Sequence, residues 1–269
     1  MLFERFARGR AGILPLLALI SGIFMMALLV GCRHSPATWT RIQEQGVLRI
    51  GLDPTYPPFE TADANSVWGY DVDLMRAIAD HYGLQAQFTY FGYDGLYDAL
   101  STAQVDVLAS ALVTQPERTR DFAYSQPYFD AGQVLIVPTA SPITGVDDLN
   151  NRVLAVELGA QGHVLATTWE RRLPGMTIVP YNSVDEALAV VTAGTADAAL
   201  VDSIGGRLYL RQAAGLMRLS PPAESEPYAL VVRADDEVLL QKLNEALATL
   251  ESRGVLAELE RRWLDTPDN

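Results

Sequence analysis

Gly-Leu-Asp-Pro-Thr-Tyr-Pro-Pro-Phe-Glu (residues 51 to 60) and Gly-Tyr-Asp-Val-Asp-Leu (69 to 74) open a run of closely spaced motifs. Gln-Pro-Glu-Arg (115 to 118) and Tyr-Ser-Gln-Pro-Tyr-Phe (124 to 129) complete it. Leu48 to Leu52 is a short run of β type, and Pro54, Pro57 and Pro58 follow it, so a strand ends here in a proline-braced aromatic loop. Asp71 to Tyr82 then carries Leu74, Ile78 and Tyr82 at helical spacing, closed by Gly83. A strand, an aromatic loop, a helix and a later isolated arginine together build a pocket suited to a small carboxylate.

Outward from that stretch the pattern repeats. Gln85 to Tyr90 reads as a strand, Leu96 to Thr102 as a helix and Val105 to Ala109 as a strand. Beyond Pro142, strands are predicted at Val153 to Val156, Thr177 to Pro180 and Ala198 to Val201, with helices over Gly162 to Arg172 and Ser183 to Ala193. The last helix has Ser183 and Glu186 placed as a capping box and Gly194 as its stop. Alternation of this kind predicts mostly parallel sheets covered by helices, an α/β architecture. The two sets are similarly built. Gln133 to Val137 and Tyr228 to Val232 are apolar strands at the ends of the second set, placed to cross between two lobes. Terminal helices carrying Leu239, Leu243, Leu247 and Leu250, then Leu256, Leu259 and Trp263, would pack back on the first lobe. Two lobes joined by two crossings make a hinge, and the cleft between them is the expected ligand site.

With 269 residues, 49% of them hydrophobic, the chain can bury one large core or two modest ones. The amino terminus stands apart. Arg5, Arg8 and Arg10 precede an uncharged run from Ala11 to Gly31, which reads as a basic region, an apolar region and a cleavage site. Its ending, Leu29-Val30-Gly31-Cys32, resembles a bacterial lipobox, in which the cysteine becomes lipidated; Cys32 is the only cysteine, so no disulfide is expected. An uncleaved membrane helix is the alternative, since a run of this length spans a bilayer core of ~30 Å. Either way the remainder is expected outside the cytoplasmic membrane and tethered to it.

Residues 1 to 31 carry three Arg and one Glu, so the rest holds a net −15 of the total −13. That balance argues against nucleic acid, whose phosphates call for a basic face. Asp71 and Asp73 suggest a metal, but two carboxylates at a helix start are explained by capping and the helix dipole. His34, His81 and His163 lack ligand spacing, and the chain has no phosphate loop, dinucleotide fingerprint or Gly-Xaa-Ser-Xaa-Gly elbow. No metal or cofactor is expected.

From about Trp39 to Leu264 the ordered motifs resemble those of the extracellular solute-binding proteins of family 3, the amino-acid-binding components of ABC importers. The resemblance implies a two-lobed, type II periplasmic-binding-protein-like fold, each lobe a mostly parallel sheet flanked by helices, with two crossover strands as hinge. It divides the chain into a lipoprotein signal peptide (1–31), a tether (32–46), a first lobe (47–130 and 227–269) and a second lobe (131–226). The implied protein is an envelope lipoprotein held by Cys32, working as a monomer with a membrane permease and closing on one free polar amino acid.

Site roles follow residue by residue from the same resemblance. Arg118 corresponds to the arginine that holds the ligand α-carboxylate, with the alternative that it pairs at the surface with Glu117 or Asp121. Asp202 corresponds to the acidic partner of the α-ammonium and is also placed to cap the following helix. Tyr56 and Tyr93 would sandwich the ligand side chain. Ser110, with Ala111 beside it, lines the carboxylate site, and Gly159 with Gln161 belongs to a loop that completes it. Val113 departs from the family's Ser or Thr, and Ala160 and Gln161 stand where hydroxyl residues are common, so one acceptor for the ammonium is missing. Asp53 and Glu157 reach the far end of the ligand in relatives. Two carboxylates there would favour arginine, lysine or ornithine; the alternative is that one caps a loop and the other faces water. Cyclohexadienyl (arogenate or prephenate) dehydratases resemble the same fold, and on that reading Glu157 would be the general acid and Arg118 would hold a substrate carboxylate. A tethered sensor subunit is a third reading.

Overall fold

The computed structural model describes residues 38–265, so the leader and the lipidation site at Cys32 lie outside the described residues. Among the described residues no helix is long and apolar enough to cross a membrane. Two five-stranded sheets carry the fold. In the first, Gln85–Tyr90, Val47–Leu52 and Val107–Leu108 run parallel, and Val231–Arg233 and Phe122–Tyr124 extend it with antiparallel pairings. In the second, Thr177–Tyr181, Val153–Glu157 and Ala198–Asp202 are parallel, followed by the antiparallel Gln133–Pro138 and Leu216–Arg218. The three parallel strands take the same order in both sheets, the first of them in sequence lying between the second and the third.

The three central strands of the second sheet, Gln133–Pro138, Val153–Glu157 and Ala198–Asp202, are buried on both faces, and their residues alternate between two cores. Leu135, Val137, Leu154, Val156, Ala198 and Leu200 pack with Trp169 of the helix Gln161–Glu170. Val134, Ile136, Ala155, Ala199 and Val201 meet Leu188 and Val191 of the helix Val184–Thr192. A sheet covered on both faces requires continuous apolar strands, and these supply them. The first sheet is treated alike. Leu48, Ile50, Val107 and Val232 join Leu74, Ile78, Leu243 and Leu247 from the helices Tyr70–His81 and Glu237–Ser252, while Leu108 and Val231 face Leu96 and Leu100.

Three expectations need correction. The segment expected as a tether with one helical turn holds an eight-residue α-helix, Thr38–Gln45, whose Trp39 and Ile42 are buried in the first core. Two apolar residues three apart on so short a helix give little periodicity, and the packing alone reveals them. The expected crossing strands belong to the two sheets. The crossing itself is a two-stranded ribbon in which Phe129–Asp130 pairs antiparallel with Pro227–Tyr228. At Ser183 the hydroxyl accepts from the Glu186 amide at 3.2 Å, but the Glu186 carboxylate turns to the amide of Asn182 instead of closing the box.

Candidate functional site

Where Val47–Leu52 ends, the chain enters a small antiparallel sheet of Thr55–Tyr56, Glu60–Ala62 and Val67–Trp68. This sheet, more than the prolines alone, presents Tyr56 to the open. Tyr56 stacks on the buried Phe59 with ring centroids 5.8 Å apart, and its hydroxyl lies 3.4 Å from that of Tyr228 at the ribbon. Tyr93 begins the 3-10 turn Tyr93–Gly95 at the end of the next parallel strand. Both rings are large exposed aromatics, 44% and 52% accessible, in a protein whose other tyrosines are mostly covered. Between them opens a cavity of about 360 Å³ lined by Asp53, Thr55, Tyr56, Glu60, Tyr93, Ser110, Ala111 and Tyr228. Its size is in the range of ~300–1,000 Å³ usual for small-molecule sites.

The floor of the cavity is built from hydrogen bonds. Ser110 Oγ accepts the amide of Asp53 at 3.0 Å and donates to Glu60 Oε1 at 2.6 Å. Ala111 stands at φ 47°, the left-handed region that costs an alanine about 1 kcal/mol or more. Its amide is held there by Asp71 Oδ2 at 2.7 Å, which also accepts from the Tyr128 hydroxyl at 2.9 Å. Asp71 therefore does not cap its own helix, as expected from sequence; it is fully buried and points across to the site. Asp73 takes up Arg76, Arg262 and Trp263 instead. Burial, then the neighbouring Asp71, pushes the Glu60 carboxyl well above the ordinary carboxylate range. Burial likewise raises Asp71, opposed by its bonds to Ala111 and Tyr128. The Tyr56 phenol is raised chiefly by burial and also by the negative field of Asp202, Glu226 and Glu60.

Of the residues singled out in the sequence, the structure brings Asp53, Tyr56, Tyr93, Ser110 and Ala111 around one cavity. The others stand off its wall. Arg118 closes the 3-10 turn Pro116–Arg118, donates to Gln115 and lies with its guanidinium 4.2 Å from the centroid of the Tyr97 ring. Neither Glu117 nor Asp121 is its partner in an ion pair among the described residues. Asp202 ends its strand and caps the helix Ser203–Leu210, accepting the Gly205 amide at 2.7 Å; its charge also reaches Tyr56 across the cleft. Gly159, at φ 80°, donates its amide to His163, Gln161 opens the next helix and reaches Glu224, and Glu157 is half-buried at its strand end. Glu157, the acid that a dehydratase would use, is not among the cavity residues. Glu60, Thr55 and Tyr228 line the cavity unpredicted. Thr55 and Glu60 lie inside the motif at 51 to 60 and Tyr228 opens an expected crossing strand, but nothing in the sequence marks any of the three as facing a cavity.

Comparison with known proteins gives one picture. A family model for bacterial extracellular solute-binding proteins, family 3, matches residues 48–266. The arginine-binding extracellular protein ArtP of Bacillus subtilis is 27% identical, over 80% of this chain and 85% of its own. The crystal structure of the L-cystine solute receptor of Neisseria gonorrhoeae, unliganded and open, is 27% identical with a TM-score of 0.76, covering 85% of this chain and 97% of the receptor. An ancestral amino-acid-binding protein described as a precursor of cyclohexadienyl dehydratase is 30% identical with a TM-score of 0.53, covering 85% of this chain and 100% of its own.

Proposed function

Because the chain belongs to the bacterial extracellular solute-binding proteins, family 3, we propose that it captures one free basic amino acid by closing its two lobes and passes it to an ABC permease. The observation that carries this reading is the cavity between Tyr56 and Tyr93 with the carboxyl groups of Asp53 and Glu60 in its wall. Two aromatic faces take a cationic side chain through contact and cation–π attraction, and the Asp53 carboxylate takes its charge. On the same reading residues 47–130 with 227–269 form the first lobe and 131–226 the second. Closure would bring Asp202, Gly159 and Gln161 over the ligand. Arg118 would leave Tyr97 to hold the α-carboxylate by its two-pronged fork, and Asp202 would take the α-ammonium. The protein works as a monomer outside the cytoplasmic membrane, held to it by a lipid on Cys32.

A thermal-shift screen of the purified protein against the twenty amino acids, ornithine, citrulline, cystine and prephenate tests this. A ligand at ~100 times its Kd stabilises by about 2.7 kcal/mol, a clear rise in Tm. Arginine, lysine or ornithine should give the largest shift. Glutamine, glutamate or cystine binding at least as tightly as arginine would end the basic-ligand reading but keep the clamp, and a shift with prephenate alone would return the enzyme.

A further inference from the structure

Beneath the cavity floor lie two carboxyl groups that the ligand-binding scheme above does not use as a unit. Glu60 and Asp71 are 1% and 0% exposed. Glu60 Oε1 accepts from Ser110 and Asp71 Oδ2 accepts from Ala111 and Tyr128, so each residue has one satisfied oxygen. The other two, Glu60 Oε2 and Asp71 Oδ1, find no donor among the described residues. The two carboxyl groups are held by the adjacent residues Ser110 and Ala111, so they lie side by side under the cavity floor. Two buried carboxylates this close repel unless one of them is protonated, and a single shared proton gives both unpaired oxygens a partner. Asp71, with two donors on Oδ2, is the natural anion; Glu60, whose Oε1 already accepts, is the natural holder of the proton, on Oε2. The pair then carries one negative charge in place of two.

That charge has no counter-ion. Neither carboxyl takes part in an ion pair among the described residues. Tyr70 and Tyr128 face it from the protein side, Tyr228 from the ribbon, and Asp53, itself an acid, from the strand end. The open side is the cavity, which Glu60 lines. An isolated buried charge is costly, and a cation arriving from the cavity would relieve it.

We propose that Glu60 and Asp71 act as one proton-sharing carboxyl pair whose single negative charge, together with Asp53, receives the cationic side chain of the ligand. The inference rests on the basic amino-acid reading and adds the source of its charge selectivity. Glu60 and Asp71 are positioning residues on this account, acting through Ser110 and through the field at the cavity floor. A shared charge has a distinctive signature. In Glu60→Gln the amide donates to Asp71, which keeps the charge; in Asp71→Asn the amide donates to Glu60, which ionises and carries it. Only the double variant is uncharged, at nearly unchanged shape.

The test is titration calorimetry of the full-length protein with arginine and with citrulline, which replaces the cationic end by a neutral one of similar shape. Wild type and both single variants should prefer arginine by about tenfold or more, and Glu60→Gln/Asp71→Asn should lose most of that preference. A double variant that keeps the preference, or a Glu60→Gln that loses it alone, overturns the proposal. Infrared spectra of the unliganded protein supply an independent readout that survives a poorly folding double variant: a protonated carboxylic acid band in wild type that vanishes in Glu60→Gln. Its absence from wild type overturns the shared proton whatever binds. If wild type binds neither ligand, the basic-ligand reading fails and the role of the charge fails with it, while the infrared band still decides the pair.

Discussion

Arg118 rests on a platform that sequence did not disclose. Its guanidinium lies over Tyr97, and Tyr97 in turn is edge-on to the buried Phe122 at 4.9 Å. A cation held on a ring face is worth ~0.5–1 kcal/mol at an exposed site, little enough for a carboxylate to draw it away. Arg118→Ala should therefore abolish amino-acid binding in calorimetry, a loss of about 100-fold or more, while the melting curve stays near wild type, because the side chain is exposed and its loss opens no cavity. Arg118→Lys should recover little, since an ammonium cannot make the two parallel bonds of the fork. Retained affinity in either variant would place the carboxylate elsewhere. Asp202 joins two roles that substitution can separate. Asn caps a helix about as well as Asp, so Asp202→Asn should keep the bond to Gly205 and the stability, yet weaken ligand binding by about tenfold. Asp202→Ala should lose both, with ~0.5–2 kcal/mol of stability read by urea denaturation. Equal affinities in wild type and Asp202→Asn would leave Asp202 as a cap only.

At the scale of elements, the ribbon Phe129–Asp130 and Pro227–Tyr228 is the one paired crossing among the described residues, and the chain just beyond it is unusually tight. A side chain on Gly132 would sit inside the van der Waals envelope of the Glu224 carbonyl oxygen, and the neighbouring Gln133 amide bonds that same carbonyl at 2.8 Å. Gly132→Ala must push the two backbones apart where they pass between sheets. We expect it to lower stability by about 2 kcal/mol or more and to weaken ligand binding beyond that, as seen in paired melting and calorimetry. Wild-type affinity and stability would mean the strands separate there at no cost. The same ribbon marks the limit of what the sequence discloses. Gln85 to Tyr90 and the helix over Asp71 to Tyr82 were legible because six or more residues repeat one period, and observed bounds differ by a residue at most. A two-residue strand has no period, so the sequence points instead to the longer apolar runs beside it. Asp53 and Tyr56 stand in the motif at the first strand end, whereas Tyr93 and Ser110 were legible only through the family resemblance. Glu60 was not, because an acid reads as solvated until Ser110 and Asp71, distant in sequence, are seen to close over it.

For the molecule as a whole, the two sheets are also tied together away from the ribbon. Arg207, on the helix that Asp202 caps, is 7% exposed and forks onto Asp265 at 2.8 and 2.7 Å and onto Glu260 at 2.5 Å. Ile204 of the same helix is buried in the core of the first sheet. A helix that follows a strand of the second sheet is thus pinned to the C-terminal segment that covers the first, so closure would turn about this contact and the ribbon together. The energetics of the triad are lopsided, since the arginine side chain is 8% accessible but the carboxylates are 31% and 44% accessible. Arg207→Met leaves two carboxylates that water can reach, and should cost about 1–2 kcal/mol. Glu260→Gln/Asp265→Asn leaves a buried guanidinium without a counter-charge, and should cost more, about 3–5 kcal/mol. With a shift of ~2–4 °C per kcal/mol for a chain of this size, the double variant should melt clearly below Arg207→Met. If the order is reversed, the guanidinium is reached by water in solution, and the contact is a surface bridge that cannot serve as a pivot.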